Sequence, residues 1–293
     1  MDVRDLEVFL AVAKNLNFSR AGEEIHLSQP SVSVRISRLE DELQARLFEK
    51  IGKRIVLTEA GRILEPYARR VVTSLTDSRR AIEEYRGLEQ GSLKIGASTT
   101  PGMYVVPKVI ARFKRRHPKI AVSLSIKNTR QVEEDILKNE FDLGFVGGHL
   151  ISDEIETVPW RTDELVLVLP CGHPLTRKKQ VRPGELAKQI FINREQGSAT
   201  RAVVERHARL LNLCFDSALE LGNPEAVKQV IKDGLGIAFL SRFAVEAELT
   251  TKSLAALKVQ GLDLNRELRI IFRKGQHLNR AASAFIEMAQ RLR

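Results

Sequence analysis

Two loops in this chain group small hydroxyl side chains where a strand-like run gives way to a helical one. Ser98-Thr99-Thr100-Pro101-Gly102 places hydroxyls at the cap and proline in the first turn. Glu195-Gln196-Gly197-Ser198-Ala199-Thr200-Arg201 does likewise farther along. The amino end of a helix offers unpaired N–H groups and partial positive charge, so each loop is a seat for an anion. Two such loops facing one cleft would hold a carboxylate, sulfate-like or phosphate-like group between them. The candidate ligand residues are Ser98, Thr99, Thr100, Glu195, Gly197, Ser198 and Thr200. Asn128, Thr129 and Asn223, also at strand ends, join them. Ordinary helix capping is the competing reading, because the same residue types serve it.

A third cluster, Ser28-Gln29-Pro30-Ser31 with Ser33, lies at the start of a long amphipathic helix. Ser28 suits an N-cap there, since Pro30 is tolerated only in a first turn. Val32, Ile36, Leu39 and Leu43 fix the helix's inner face. Ser31, Ser33, Val34, Arg35 and Arg38 fall on the other faces. Upstream, Leu6, Phe9, Leu10, Ala13 and Leu16 mark a first helix. A second, capped by Ser19, spans Arg20–Ile25, with Glu23 and Glu24 early in it. Leu27-Ser28-Gln29 makes a tight turn into the third. In such a helix-turn-helix the small polar residues at the start of the second helix of the pair allow close approach to base edges, and Arg35 and Arg38 reach guanines or phosphates. Two β-prone runs flanking Gly52 then read as a hairpin with Lys50, Lys53 and Arg54 near its tip, a basic wing for phosphates or the minor groove. A plain three-helix bundle with a solvated outer face is the alternative.

Bulk charge does not make this argument. The formal charge is +10, yet residues 1–90 hold 15 basic and 15 acidic side chains, so the whole excess lies farther along. A DNA reader here must work by local placement of charge. The later excess either attracts an anionic ligand or aids solubility. At 293 residues the chain accommodates two or three domains. It shows no secretory signal and no run apolar enough to span a bilayer, so a cytoplasmic protein without membrane contact is expected. Cys171 and Cys214 have neither zinc-binding nor disulfide-framework spacing. Cys171-Gly172-His173 is an isolated pair, and Asp233-Gly234-Leu235-Gly236 precedes a strand where a dinucleotide fingerprint would follow one. No metal, cofactor or catalytic constellation is expected. A solute-binding protein is a rival class, but it would need export and has no use for the amino-terminal reader.

The run Ser28-Gln29-Pro30…Ser33…Ile36…Leu39-Glu40…Leu43…Leu47-Phe48…Arg54…Leu57-Thr58…Ala60-Gly61, with Leu6, Phe9, Phe18, Ser19 and Ala21 upstream, resembles the winged helix-turn-helix of LysR-type transcriptional regulators. Gln44 stands where the family usually has Gly, and Lys50 where it usually has Arg. The resemblance implies a DNA-binding domain over 1–58 and a linker helix over 59–90 that pairs subunits on a dyad-like operator. From the residues themselves, Leu64, Ala68, Val71, Leu75, Ser78, Ile82 and Tyr85 make a heptad seam suited to a partner helix or to the chain's own body. Pro66 predicts a kink or a later helix start.

Beyond Gly91, strand-like runs at Leu93–Ala97, Ala121–Ile126, Phe141–Val146, Glu164–Pro170, Ile190–Asn193, Ala218–Leu221, Gly236–Leu240 and Arg269–Phe272 alternate with helical segments. These include 107–117 and 131–139, and the pattern predicts an α/β region with a mainly parallel sheet. By resemblance this is a two-lobe effector domain like type-2 periplasmic binding proteins, over 91–293. Lobe I covers about 92–161 and 266–293, and lobe II about 162–265. The resemblance further implies a homodimer or homotetramer, a small-molecule effector such as an oxyanion or small organic acid, and contact with RNA polymerase. The Ser-Thr-Thr-Pro-Gly and Arg-Glu-Gln-Gly-Ser-Ala-Thr-Arg patterns resemble the branch governing inorganic nutrient assimilation (sulfur, carbon dioxide). Gly147 stands where such relatives carry an acidic residue.

If the wing lies on phosphates, Arg54→Ala weakens binding to every duplex and lowers the slope of log affinity against log salt by about one unit. A salt titration with an unchanged slope would exclude that contact.

Overall fold

Helix α1 (Val3–Asn15) starts at a reciprocal capping box, with Asp2 accepting from the Asp5 N–H and Asp5 from the Asp2 N–H. The computed structural model describes residues 1–52, 54–85, 91–148, 150, 152–187, 189–210, 217–276 and 278–292. Its two units are Met1–Arg86 and Gly87–Arg293. Helix α2 (Phe18–Ile25) is capped by Asn17, whose side chain accepts from the N–H groups of Ser19 and Arg20. Ser19 is therefore inside the helix and not its cap. Glu23 and Glu24 consequently sit in the last turn, where the macrodipole opposes them. Lys14 at 2.6 Å and Asn15 at 2.7 Å offset this for Glu24.

Helix α3 (Gln29–Leu43) has Ser28 as its cap and proline in its first turn. Val32, Ile36 and Leu39 are buried as expected, but Leu43 is exposed at the helix end. The inward place is taken by the buried Glu40. Its carboxylate accepts from the N–H groups of Leu47 (2.7 Å) and Phe48 (3.2 Å) and from Arg46 (2.8 Å). A charged side chain is buried here because the chain turning into the wing brings two backbone donors with it. The wing pairs β1 (Phe48–Ile51) with β2 (Arg54–Leu57), Phe48 opposite Leu57 and Ile51 opposite Arg54. Gly52 has φ +62°, and Lys53 lies outside the described residues. Phe48 packs on Phe9 and Phe18, with ring centroids 5.4 and 5.9 Å apart, and so joins the wing to α1 and α2.

Helix α4 (Glu59–Tyr85) runs through Pro66 and begins at Glu59, not later. Gly61 lies against the wing so closely that a Cβ would stand 2.3 Å from the Leu47 carbonyl oxygen. The expected seam divides. Of its members Leu64 and Ala68, joined by Val72, pack into the core of their own unit, whereas Val71 and Ile82 are exposed, as are Ile63 and Tyr67 on the same side. Spacing alone could not separate these stripes, because both recur every three or four residues.

In the second unit β3 (Gly91–Ser98) leads into α5 (Thr99–Tyr104) and α6 (Val106–Arg116). Then come β4 (Ile120–Lys127), α7 (Thr129–Leu137), β5 (Leu143–Gly147) and the 16-residue β6 (Ile155–Pro170). Next follow β7 (Phe191–Arg194), α8 (Ala199–Leu210), β8 (Ser217–Leu221), α9 (Pro224–Lys232), β9 (Ala238–Ser241), α10 (Arg242–Thr250), β10 (Leu254–Leu257), β11 (Asn265–Arg273) and α11 (Arg280–Arg291). One seven-stranded sheet has the order β10-β6-β11-β5-β3-β4 with β9 also on β6, while β7 pairs with β8. The expectation of a mainly parallel sheet is corrected. β3 pairs in parallel with β4 and β5, and β7 with β8, but β6 and β11 are antiparallel to all their neighbours. The reason is that β6 and β11 are the crossing strands. The first half of β6 pairs with β11, and its second half with β9 and β10. A register shift at Leu268/Arg269 interrupts the β6–β11 ladder, and β6 passes from β11 to β9 between Glu164 and Leu165. One core gathers Leu93, Phe113, Phe145, Trp160 and Phe285; others gather Leu167, Phe191 and Phe239, and Val168, Ile192 and Val227. Among the described residues no helix is long and apolar enough to cross a membrane.

Gln44 ends α3 at φ +50°, a left-handed conformation that costs a side-chain-bearing residue about 1–2 kcal/mol. Gln44→Gly should therefore raise the urea midpoint of the amino-terminal unit. A lowered midpoint would mean that the amide's 2.8 Å bond to the Asp41 carbonyl matters more than the backbone cost.

Candidate functional site

In the amino-terminal unit the start of α3 forms an exposed polar tip. Ser28 and Ser31 share a hydroxyl–hydroxyl bond of 2.8 Å, and the Gln29 amide donates to the Ser33 hydroxyl at 2.9 Å. Ser28, Gln29, Pro30, Ser31, Val34 and Arg38 are exposed, and Ser33 is half-buried. Val34, 68% exposed, presents an apolar surface that nothing in the core requires. Arg35 differs from its neighbours, because its guanidinium pairs with the fully buried Asp5 at 2.8 Å and ties α3 to the start of α1. Lys50 and Arg54 are exposed on the wing.

In the second unit the loops singled out in the sequence do meet. Ser98, Thr99, Thr100, Asn128, Thr129, Glu195, Ser198 and Thr200 line one small cavity of about 10 Å³, room for no more than one water. Ser98, Thr100, Thr129, Ser198 and Thr200 are each buried. Gly197 (φ +83°) packs against the Asn128 side chain on one side of this waist, in a groove of about 690 Å³. Asn223 borders a second opening of about 460 Å³ together with Thr99, Asn128 and Glu195. Asn128 and Asn223 also cap α7 and α9 through their side chains. The Thr129 hydroxyl is buried without a hydrogen-bond partner, an unusual state for a polar group.

Three residues that loop chemistry did not point to complete the waist: Arg266, Asp163 and Arg194. The buried Arg266 pairs with Asp163 at 2.8 Å, and Asp163 also accepts from the Ser241 hydroxyl at 2.6 Å. The same guanidinium donates to Thr200 Oγ1 at 3.0 Å and to Thr100 Oγ1 at 3.2 Å, joining the starts of α8 and α5. Arg194, at the end of β7, forks onto Glu195 at 2.8 and 2.9 Å and reaches Thr99 Oγ1 at 3.2 Å. A signal for Arg266 was present: it breaks the inward series Leu264, Leu268 and Ile270 with a charge. Two cations balance two carboxylates, so the side chains of the waist are together close to neutral.

A second tie lies beside it. The Tyr104 hydroxyl donates to Glu225, and the buried Lys228 pairs with Glu225 at 2.8 Å and Glu248 at 3.0 Å. Burial, reinforced by Glu225, pushes the Tyr104 hydroxyl well above its ordinary pKa, so it stays a donor. Burial alone would raise the Glu248 carboxyl, but the hydrogen bond from Lys228 and the charges of Lys228 and Lys232 hold it below the ordinary value.

Residues 3–62 match the bacterial regulatory helix-turn-helix protein, lysR family, and residues 86–293 match the LysR substrate binding domain. Over 287 residues the chain is 36% identical to the RuBisCO operon transcriptional regulator of Allochromatium vinosum, covering 98% of this chain and 95% of that protein. The regulatory domain of Synechocystis PCC6803 CcmR in complex with 2-PG superposes with a TM-score of 0.66 at 28% identity, covering 69% of this chain and 97% of that domain. Full-length CbnR complexed with its target DNA has the same fold, with a TM-score of 0.67 at 22% identity and 99% of each chain covered. The chain belongs to the LysR family of DNA-binding transcriptional regulators.

Proposed function

We propose that this regulator controls carbon-fixation genes in response to a small phosphorylated carboxylic acid held at the waist of its effector-binding unit. The observation that carries the reading is Arg266, a buried guanidinium bridging the hydroxyls of Thr100 and Thr200. Both hydroxyls accept from the arginine. A phosphoryl group taking their place accepts from the same guanidinium, and the threonine protons, together with that of Thr129, turn to donate to it. Hydrogen bonds to a charged group contribute about 1.5–3 kcal/mol each. The relatives that regulate RuBisCO operons and the CcmR domain bound to 2-phosphoglycolate support the ligand class.

A cavity of about 10 Å³ cannot hold such an acid, so binding requires the lobes to part. Occupancy thus selects an open arrangement over the closed one, which is the differential affinity an allosteric effector needs. In this reading residues 1–58 bind DNA, 59–90 connect, and 91–293 sense, with lobe I about 92–161 and 266–293 and lobe II about 162–265. Ser28, Gln29, Pro30, Ser31, Ser33, Val34 and Arg38 enter the major groove, Lys50, Lys53 and Arg54 lie on phosphates, and Arg35 shares itself with Asp5. The exposed stripe Ile63, Tyr67, Val71 and Ile82 meets a second copy, pairing two readers on a dyad-like operator. Tetramer formation and contact with RNA polymerase extend the same scheme.

Titration calorimetry with 2-phosphoglycolate, and with glycolate and inorganic phosphate as separate arms, tests the ligand class. The phosphorylated acid should bind best. Thr100→Ala and Thr200→Ala should each weaken it about tenfold, the equivalent of one lost hydrogen bond to a charged group. No heat and no thermal shift with any phosphorylated acid would sink the proposal.

A further inference from the structure

We propose that the Glu195 carboxylate is a built-in occupant of the anion site, holding the Arg194 fork that a ligand's second anionic group takes over. The inference rests on the ligand reading above and deepens it. Two carboxylates face this waist, and they are held in different ways. Asp163 is on strand β6, fully buried, and gripped by Arg266 and the Ser241 hydroxyl. Its removal would strand a buried guanidinium, so it stays. Glu195 is on the loop leading to α8, its side chain is 21% exposed, and Arg194 holds it. It also borders the opening of about 460 Å³, so it has somewhere to go.

Arg194 is the opposite kind of group. Its side chain is only 4% exposed, and its fork points at Glu195 while the same nitrogen reaches Thr99. A guanidinium this deep needs an anion at all times. When the lobes are closed, the neighbouring glutamate supplies one. When a two-ended acid enters, its phosphoryl group meets Arg266 and its carboxylate meets Arg194, and Glu195 swings out through the opening beside Gly222. While Glu195 is in place it balances the charge of Arg194. It also sets a threshold, because a ligand with one anionic end displaces nothing and must sit beside an unreleased carboxylate. Glu195 would thus select for ligands with two anionic ends and set the concentration at which the sensor responds.

The test compares the full-length chain with Glu195→Gln, which keeps shape and a hydrogen-bond acceptor for Arg194, and with Glu195→Ala. Titrated with 2-phosphoglycolate, both should bind about tenfold more tightly than the unaltered chain. The preference for 2-phosphoglycolate over inorganic phosphate should narrow. Weaker or unchanged binding in both variants, with the unaltered chain still binding and Thr100→Ala still impaired, overturns the role of Glu195 and leaves the ligand site standing. Failure of the unaltered chain and both variants alike to bind any of these acids overturns the site itself and this inference with it.

Discussion

A buried guanidinium sets the terms for the effector-binding unit. Arg266 sits on one crossing strand and Asp163 on the other, so their ion pair lies where the lobes are joined. Breaking a buried pair by removing one partner typically costs about 3–5 kcal/mol, whereas a hydrogen bond between a charged donor and a hydroxyl contributes about 1.5–3 kcal/mol. The contacts therefore form a hierarchy. The Arg266–Asp163–Ser241 cluster is the stronger set, and the reach of the same arginine to Thr100 and Thr200 the weaker.

The amino-terminal unit follows a related logic with charges spent on architecture. Asp5 is fully buried to receive Arg35, and Glu40 is buried to receive two backbone N–H groups at the root of the wing. These acids explain how a domain with no net charge can present a local basic surface. Carboxylates are turned inward as hydrogen-bond acceptors, while Arg38, Lys50 and Arg54 remain outside. The polar tip of α3 is ordered by its own Ser28–Ser31 and Gln29–Ser33 bonds, so its side chains have less entropy left to lose in any contact.

Helix α4 carries two apolar stripes, one buried and one exposed. Its Leu64, Ala68 and Val72 complete the reader, and the stripe one position away is left for another surface. One face of the helix is thereby committed to the reader.

Much of this was written in local sequence. Capping residues, the Pro30 turn, the wing glycine and the alternation of strands and helices are decided by neighbours within a few positions, and so were the hydroxyl-bearing loops that line the waist. The errors were local competitions too close to separate: Asn17 against Ser19 as a cap, and two stripes on α4 offset by a single residue. Strand direction in β6 and β11 was hidden, because alternation of side chains is the same whichever way a neighbour runs. What tertiary structure alone decided is the polar heart of the waist. Arg266 meets Asp163 across 103 positions and Thr100 across 166, and no periodicity or motif links residues that far apart. Their pairing follows from the fold bringing charges out of water together, where each is tolerated only because the other is there.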